Sequence, residues 1–251
     1  MWQRTLDGRT LQFRLIGINN QNFLMKDLET GSWWQQVTGR AISGPLAGRA
    51  LTPMLHDEVT FGLWRAEHPE TRVLGLDAQA SQIDAAWEER TAKARVVTPV
   101  RGDDPLPPRT LVIGVAIEGA ARAYKRETLA ASGVILDDLA GTPIAIVEAD
   151  DKHSVRVFSR RVDEQTVDLL RKVDASPVRF IDERTGSEFD FTGRAVTGPL
   201  AGRQLTRVPH LSDYWFDWHE YHPDTTIHAA WQPRAGQRPY APCIGSSALP
   251  P

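Results

Sequence analysis

Residues 39–49 are GRAISGPLAGR and residues 193–203 are GRAVTGPLAGR. The same eleven-residue phrase occurs twice, 154 residues apart, with only Ile42 exchanged for Val196 and Ser43 for Thr197. Both exchanges keep side-chain shape and polarity, which marks one backbone site built twice. At this offset residues 39–71 and 193–225 share 16 identities in 33 positions without a gap. His56 meets His210, Trp64 meets Trp218, and HPET (68–71) meets HPDT (222–225). Such self-similarity is the sequence mark of an internal duplication. Upstream, KDLETGSWW matches FIDERTGSEF after a one-residue shift that sets Asp27 opposite Asp182 and Thr30-Gly31-Ser32 opposite Thr185-Gly186-Ser187. A β-bulge between Ser32 and Gly39 is expected to absorb that shift.

The spacing fits two domains or two fused halves, since solenoid units recur every ~20–50 residues. With 251 residues, 41% of them hydrophobic, the chain can bury a sizeable core. A net charge of −3 gives no overall basic field, so no nucleic-acid partner is expected. The single cysteine, Cys243, excludes an intrachain disulfide and a multi-cysteine metal site, and it reads as an incidental tail thiol. No run approaches the ~18 apolar residues of a transmembrane helix. The opening MWQRTLDGRTLQF lacks the apolar stretch of a signal peptide.

Four segments follow: a first repeat at 1–76, a helical and proline-rich linker at 77–108, a second and more complete repeat at 109–230, and an extended tail at 231–251. LQFRLIGINN, NFLMKD and SWWQQV read as strands, with ETGS and SGPLAG as turns. DEVTFGLWRAEHP reads as a helix of about two turns, capped by Asp57 and stopped at Pro69, with SDYWFDWHEYHP and Ser212 as its counterpart. DAQASQIDAAWEERTAKAR is expected to be a linking helix packing through Ile83, Ala86 and Trp87. In the second repeat Glu118-Gly119 marks a hairpin, GTPIAIVEADD and SVRVFSRRV read as strands, and DEQTVDLLRKV reads as an amphipathic helix. The first repeat has no counterpart of the GVAIEGAARAY hairpin, which would fall before Met1. Either another part of the protein or a companion chain, the expected partner, completes that repeat, or the first half folds differently, since an uncovered strand edge is a liability.

The stretches GVAIEGAARAYKRETL, INNQNFLMKDLETGSWWQQVTGRAISGPLAGRAL, TFGLWRAEHPETRVL and YWFDWHEYHPDTTIH together resemble the bacterial and archaeal DUF3179 family, a domain of unknown function. The resemblance covers residues 7–76 and 109–230. It implies an extracytoplasmic location and, in many members, a short-spaced cysteine pair. The matching stretch here, VEADDKHSVRVF, has no cysteine, so thiol chemistry is not carried over.

GPLAG lacks the Lys-Ser/Thr ending of a phosphate loop, and GVAIEGAA lacks the GxGxxG spacing of a dinucleotide fold. Both read as turns. His56 and His210, with His68 and His222, are candidate metal ligands. The twelve-residue spacing inside each copy matches no standard signature, and a histidine before proline can simply close a helix. Trp33, Trp34, Gln35 and Gln36 are the binding candidates, because adjacent strand residues face opposite ways and one tryptophan can enter the core while the other meets a ligand. Asp27 and Asp182 read as turn acceptors. Glu29, Asp57 and Glu58 have no acidic counterparts, so no duplicated catalytic carboxylate pair is visible. Asp137-Asp138 and residues 148–151 read as solvated turns. The expectation is an α+β, mainly β protein of two related β-rich domains with short helices. Its expected role is a non-catalytic binding or scaffold module, a subunit of a larger assembly. No cofactor is strongly indicated; the alternative is a metal-binding or redox accessory, or an enzyme, using the TGSWWQQ region and the paired histidines.

Overall fold

The apolar runs before residue 44 are separated by turn residues, and they pair in chain order as one antiparallel sheet. Its strands are β1 (Phe13–Asn19), β2 (Asn22–Asp27), β3 (Trp33–Gln35) and β4 (Arg40–Ser43). A computed structural model describes residues 1–19, 22–73, 75, 87–96 and 104–229. Leu11, Trp34, Ala41 and Leu51 form the small core under this sheet. Two short helices follow, α1 (Phe61–Glu67) and α2 (Trp87–Lys93).

The second repeat begins with β5 (Leu111–Ile117) and β6 (Ala120–Lys125), a hairpin turned at Glu118 and Gly119 with φ of 50° and 84°. After α3 (Arg126–Ser132) come β7 (Val134–Leu139), β8 (Thr142–Glu148) and β9 (Val155–Ser159), one antiparallel sheet. The strands β10 (Leu169–Arg171), β11 (Arg179–Asp182), β12 (Glu188–Asp190) and β13 (Ala195–Thr197) form a sheet with the order of β1–β4. Finally β14 (His210–Tyr214), α4 (Trp215–Tyr221) and β15 (Thr226–Ile227) return to the hairpin, giving a sheet ordered β14-β5-β6-β15. The architecture is mainly β with four short helices among the described residues.

The repeated phrase takes the same hydrogen bonds in both places. Gly48 and Gly202 donate to the carbonyls of Ala41 and Ala195 at 2.8 Å, and Leu46 and Leu200 donate to the hydroxyls of Ser32 and Ser187 at 3.0 Å. Gly44 and Gly198 hold φ of 89° and 84°, and a Cβ there would lie 2.7 and 2.6 Å from the Cα of Ser32 and Ser187. Only glycine fits so close to another backbone.

Several expectations are corrected. The bulge occurs in both sheets, at Trp33/Trp34 and Glu188/Phe189, so it does not absorb the extra residue. The turn does: Gly39 donates to Gln35, whereas Gly193 donates to Asp190, one residue nearer. The cap of α1 is Thr60, which accepts from Leu63, because Asp57 is held by arginines. Ser212 is a strand residue opposite Ile113, not a cap. Residues 163–173 are not a helix. Val167 and Leu169 are buried while Leu170 is exposed, and Leu169 pairs with Asp182, so the period is two. The acidic stretches are anchors rather than solvated turns: Asp137 holds Arg122 and Tyr124, and Glu148 is fully buried beside Arg126 and Lys152. The predicted stripe of Ile83, Ala86 and Trp87 side chains, the connector at 97–103 and the tail with Cys243 lie outside the described residues.

Gly198→Ala and Gly202→Ala separate steric from conformational cost, since both glycines have φ near 85° but a Cβ at Gly202 meets nothing within 4 Å. Urea denaturation is expected to show a loss of about 1 kcal/mol for Gly202→Ala and at least ~2–3 kcal/mol for Gly198→Ala. Equal losses would remove the close-approach explanation.

Candidate functional site

The two repeats meet along β9. After the first sheet the chain bridges Glu58 to Val155; after the corresponding sheet of the second repeat, Val208 donates to Val157. Arg156, on β9 between those contacts, is 2% exposed. A buried guanidinium needs carboxylates, and both come from the first repeat: Asp57 at 2.9 Å and Glu67 at 2.6 Å. Asp57 also pairs with Arg207. Burial opposes ionisation of Asp57, but hydrogen bonds from Arg207 and Arg156 prevail and hold its carboxyl at about 2. The hydroxyl of Thr60 donates to Asp151, and Val59 and Leu63 pack against the core of the second repeat. Helix α1 is thus seated on the other repeat through one of its faces.

A second polar group lies at the same junction. Asn22 on β2 donates to both oxygens of Asp217 on α4, at 2.6 and 2.7 Å, in a buried contact. Asp217 in turn hydrogen-bonds Asp213, and two carboxyl groups so joined need a proton between them. Burial, then the neighbouring Asp217 charge, pushes Asp213 up to about 8. Glu58 adds a further negative charge, and it also accepts from the Ser212 N–H at 3.1 Å and approaches His56 Nε2 at 3.4 Å. His210, 6% exposed, feels the charge of Glu58 and of His56. Neither of its ring nitrogens has a hydrogen-bond partner beyond a weak contact to the Val208 backbone, and burial pushes its pKa down, favouring the neutral imidazole.

The structure therefore brings His56 and His210 into one electrostatic neighbourhood, although they come from different repeats. It keeps His68 and His222 apart from that pair. These two close their helices, donating from the backbone to Trp64 and Trp218 at 2.8 and 3.0 Å, and their rings lie on those indoles at 4.1 and 3.9 Å. Each indole donates to the threonine three residues past the histidine, Thr71 or Thr225, at 2.9 Å. Among the described residues no group of three or more His, Cys, Asp or Glu side chains is placed to hold a metal ion.

The binding candidates divide. Trp34 is buried, donates to Asp27 at 2.8 Å and meets Phe13 edge-on, whereas Trp33 is 44% exposed. Gln35 accepts from the Thr38 hydroxyl, and exposed Gln36 offers its carbonyl to the Trp2 indole. Asp27 and Asp182 accept from the Thr30 and Thr185 N–H groups, as turn acceptors. Asp213, Asp217 and Asn22 escaped sequence reasoning: the aspartates have no acidic counterparts in the first repeat, and Asn22 is 195 residues from its partner.

Fold and junction define a class, a mainly β protein with short helices in which residues far apart in the chain are tied by buried ion pairs. A family model described as "Protein of unknown function (DUF3179)" matches residues 1–225, and the chain belongs to that family. No curated protein and no solved structure matches. No helix among the described residues is long and apolar enough to cross a membrane.

The Asp213–Asp217 pair fixes a pH dependence. Asp213 is raised in the folded state, so the folded protein holds a proton that the unfolded chain has released above its ordinary value near 4. This term makes stability fall as pH rises from about 4 to about 8, by at most ~1.4 kcal/mol per pH unit, and leaves it flat above. Asp57 and Asp151, both held at about 2, act oppositely: their contribution is lost as pH falls below about 4. His210, His222 and His228, all lowered by burial, act against the Asp213 contribution as pH rises through about 6.5, and so does the lowered Met1 amine, so the shared proton is read from the difference between parent and Asp213→Asn. In thermal melts Asp213→Asn is expected to raise the melting temperature more at pH 8.5 than at pH 5.5, whereas a pH-independent difference would refute the shared proton.

Proposed function

We propose that the chain is a non-catalytic binding or scaffold module, a subunit of a larger assembly, whose companion polypeptide covers helix α1. The observation that carries this reading is the contrast between two matched helices. In α4, Trp215 and Trp218 are 1% and 4% exposed, and Trp218 lies against β5 where Gly114 leaves room for the ring. In α1 the matched Phe61 is 55% exposed, and the helix has no fully buried residue. Yet the Trp64–His68–Thr71 arrangement of α1 reproduces Trp218–His222–Thr225 of α4. The aromatic side of the helix is retained, with Trp64 half-buried and Phe61 exposed. A partner offering a β5-like strand, apolar and with a small residue under the indole, fits that side.

The rival reading, a metal-binding or redox accessory protein or an enzyme, is favoured by one observation: His210 is buried with no side-chain hydrogen-bond partner for its ring among the described residues, near His56 and Glu58. It predicts a stoichiometric metal that His210→Ala removes.

Native mass spectrometry of protein isolated gently from its source reads partner chains and metals together. A companion chain is expected, released by Phe61→Asp through at least ~tenfold weaker association, with little change in melting temperature because Phe61 is exposed. A monomer that behaves identically with and without Phe61→Asp overturns the proposal. A monomer carrying metal selects the rival.

A further inference from the structure

The outer face of the first sheet differs from its counterpart in chemistry rather than in backbone. Direct cross-strand partners place Arg14, Lys26, Trp33 and Ser43 in one row, and Leu24, Gln35 and Arg40 in the next. The equivalent row of the second repeat is Leu170, Ile181, Glu188 and Thr197, and Glu188 is paired with Lys172 at 2.5 Å. Two cations and a tryptophan thus stand where the other sheet has two aliphatic residues and a neutralised acid.

Across the two rows the charged groups and the indole are donors. Arg14, Lys26 and Arg40 are exposed, with no carboxylate partner among the described residues. The indole N–H of exposed Trp33 has no acceptor there either. Gln35 has spent its carbonyl oxygen on Thr38, which leaves its amide N–H groups. The carboxylates of Asp27 and Glu29 border the same face, but Asp27 is buried on Thr30 and Trp34, Glu29 accepts from Gln12, and neither pairs with a cation among the described residues, so three cations face two acids and the face stays net positive. Beside the row lies an open groove of about 550 Å³ lined by Arg14, Ile16, Lys26 and residues 27–31.

A ligand for this face must be acceptor-rich and anionic, with a flat apolar surface for the indole. An extended peptide binds a sheet by pairing its backbone with an edge, and a face offers no such pairing. Acidic side chains reaching down to it would each lose rotamer freedom. A chain of uronic acids brings ring-borne carboxylates and a flat C–H face in one stiff unit.

We propose that the outer face of β1–β4 binds an acidic oligosaccharide of the uronate class, with Trp33 under a sugar ring and Arg14, Lys26 and Arg40 on its carboxylates. This face belongs to the sheet and not to α1, so it stands apart from the companion-chain reading.

Calorimetric titration of the full chain with an oligogalacturonate at low salt tests it. Saturable binding is expected, weakened by added salt and by at least ~tenfold in Trp33→Ala and in Lys26→Glu. Ile181→Ala in the matching row should bind as the parent does. Should the tryptophan variant melt early, Lys26→Glu and Arg14→Glu carry the test from solvent-exposed positions. Absence of saturable binding, full affinity in Trp33→Ala, equal binding of a neutral galacto-oligosaccharide, or tighter binding of polyglutamate or oligothymidylate each overturns it.

Discussion

Arg156 sets the terms for the rest of the molecule. An arginine at 2% exposure on β9 is stable only if its charge is met where it lies, and its own repeat does not supply the acids. Asp57 and Glu67 do, from the turn before α1 and from that helix's last residue. Removing either would leave a buried cation short of a partner, a defect of several kcal/mol by the usual measure of broken buried pairs, on the order of 3–5 kcal/mol. The ring of Phe191 lies 4.7 Å from the guanidinium and seals one side of it. The placement of α1, and through it of the first sheet, follows from satisfying this one charge.

That constraint explains why matched helices have different fates. Position 63 is leucine in α1 and joins the apolar core of the second repeat; the matched position in α4 is Asp217, which reaches back to Asn22 of the first repeat. Each helix uses the same position to hold the opposite repeat, one by burial of an aliphatic side chain and one by a charged hydrogen bond. The asymmetry concentrates negative charge near Glu58, Asp213 and Asp217 and leaves a neutral histidine beside it. It also leaves Phe61 of α1 exposed, where the matched Trp215 of α4 is buried and Trp218 lies on β5.

Much of the local structure was legible because it rests on short-range rules. A Cβ at Gly44 or Gly198 has no room, so the repeated phrase declares its turn. Asp27 and Asp182 before Thr-Gly-Ser declare turn acceptors, and His68 or His222 before proline declares a helix end. Residues 163–173 misled because a mixed charged and aliphatic run satisfies helical spacing as well as strand spacing. Pairing of Leu169 with Asp182 settled the matter through contacts thirteen residues away. Trp33 and Trp34 were recognised as a divided pair, but which of them is inside depends on the register that lets the Trp34 indole reach Asp27.

By itself the sequence determined the repeated turn geometry, the mainly β class, the hairpin at Glu118-Gly119 and the aromatic helix ends, all fixed by interactions between near neighbours or by backbone space. Only the tertiary structure decided that Asp57 and Glu67 serve Arg156, that Asn22 serves Asp217, and that His56 and His210 share a neighbourhood. Those partners lie 89 to 195 residues apart, and charge pairing at such separations leaves no periodicity in the chain. It becomes visible when folding removes water from the groups and each buried charge must find its counterpart.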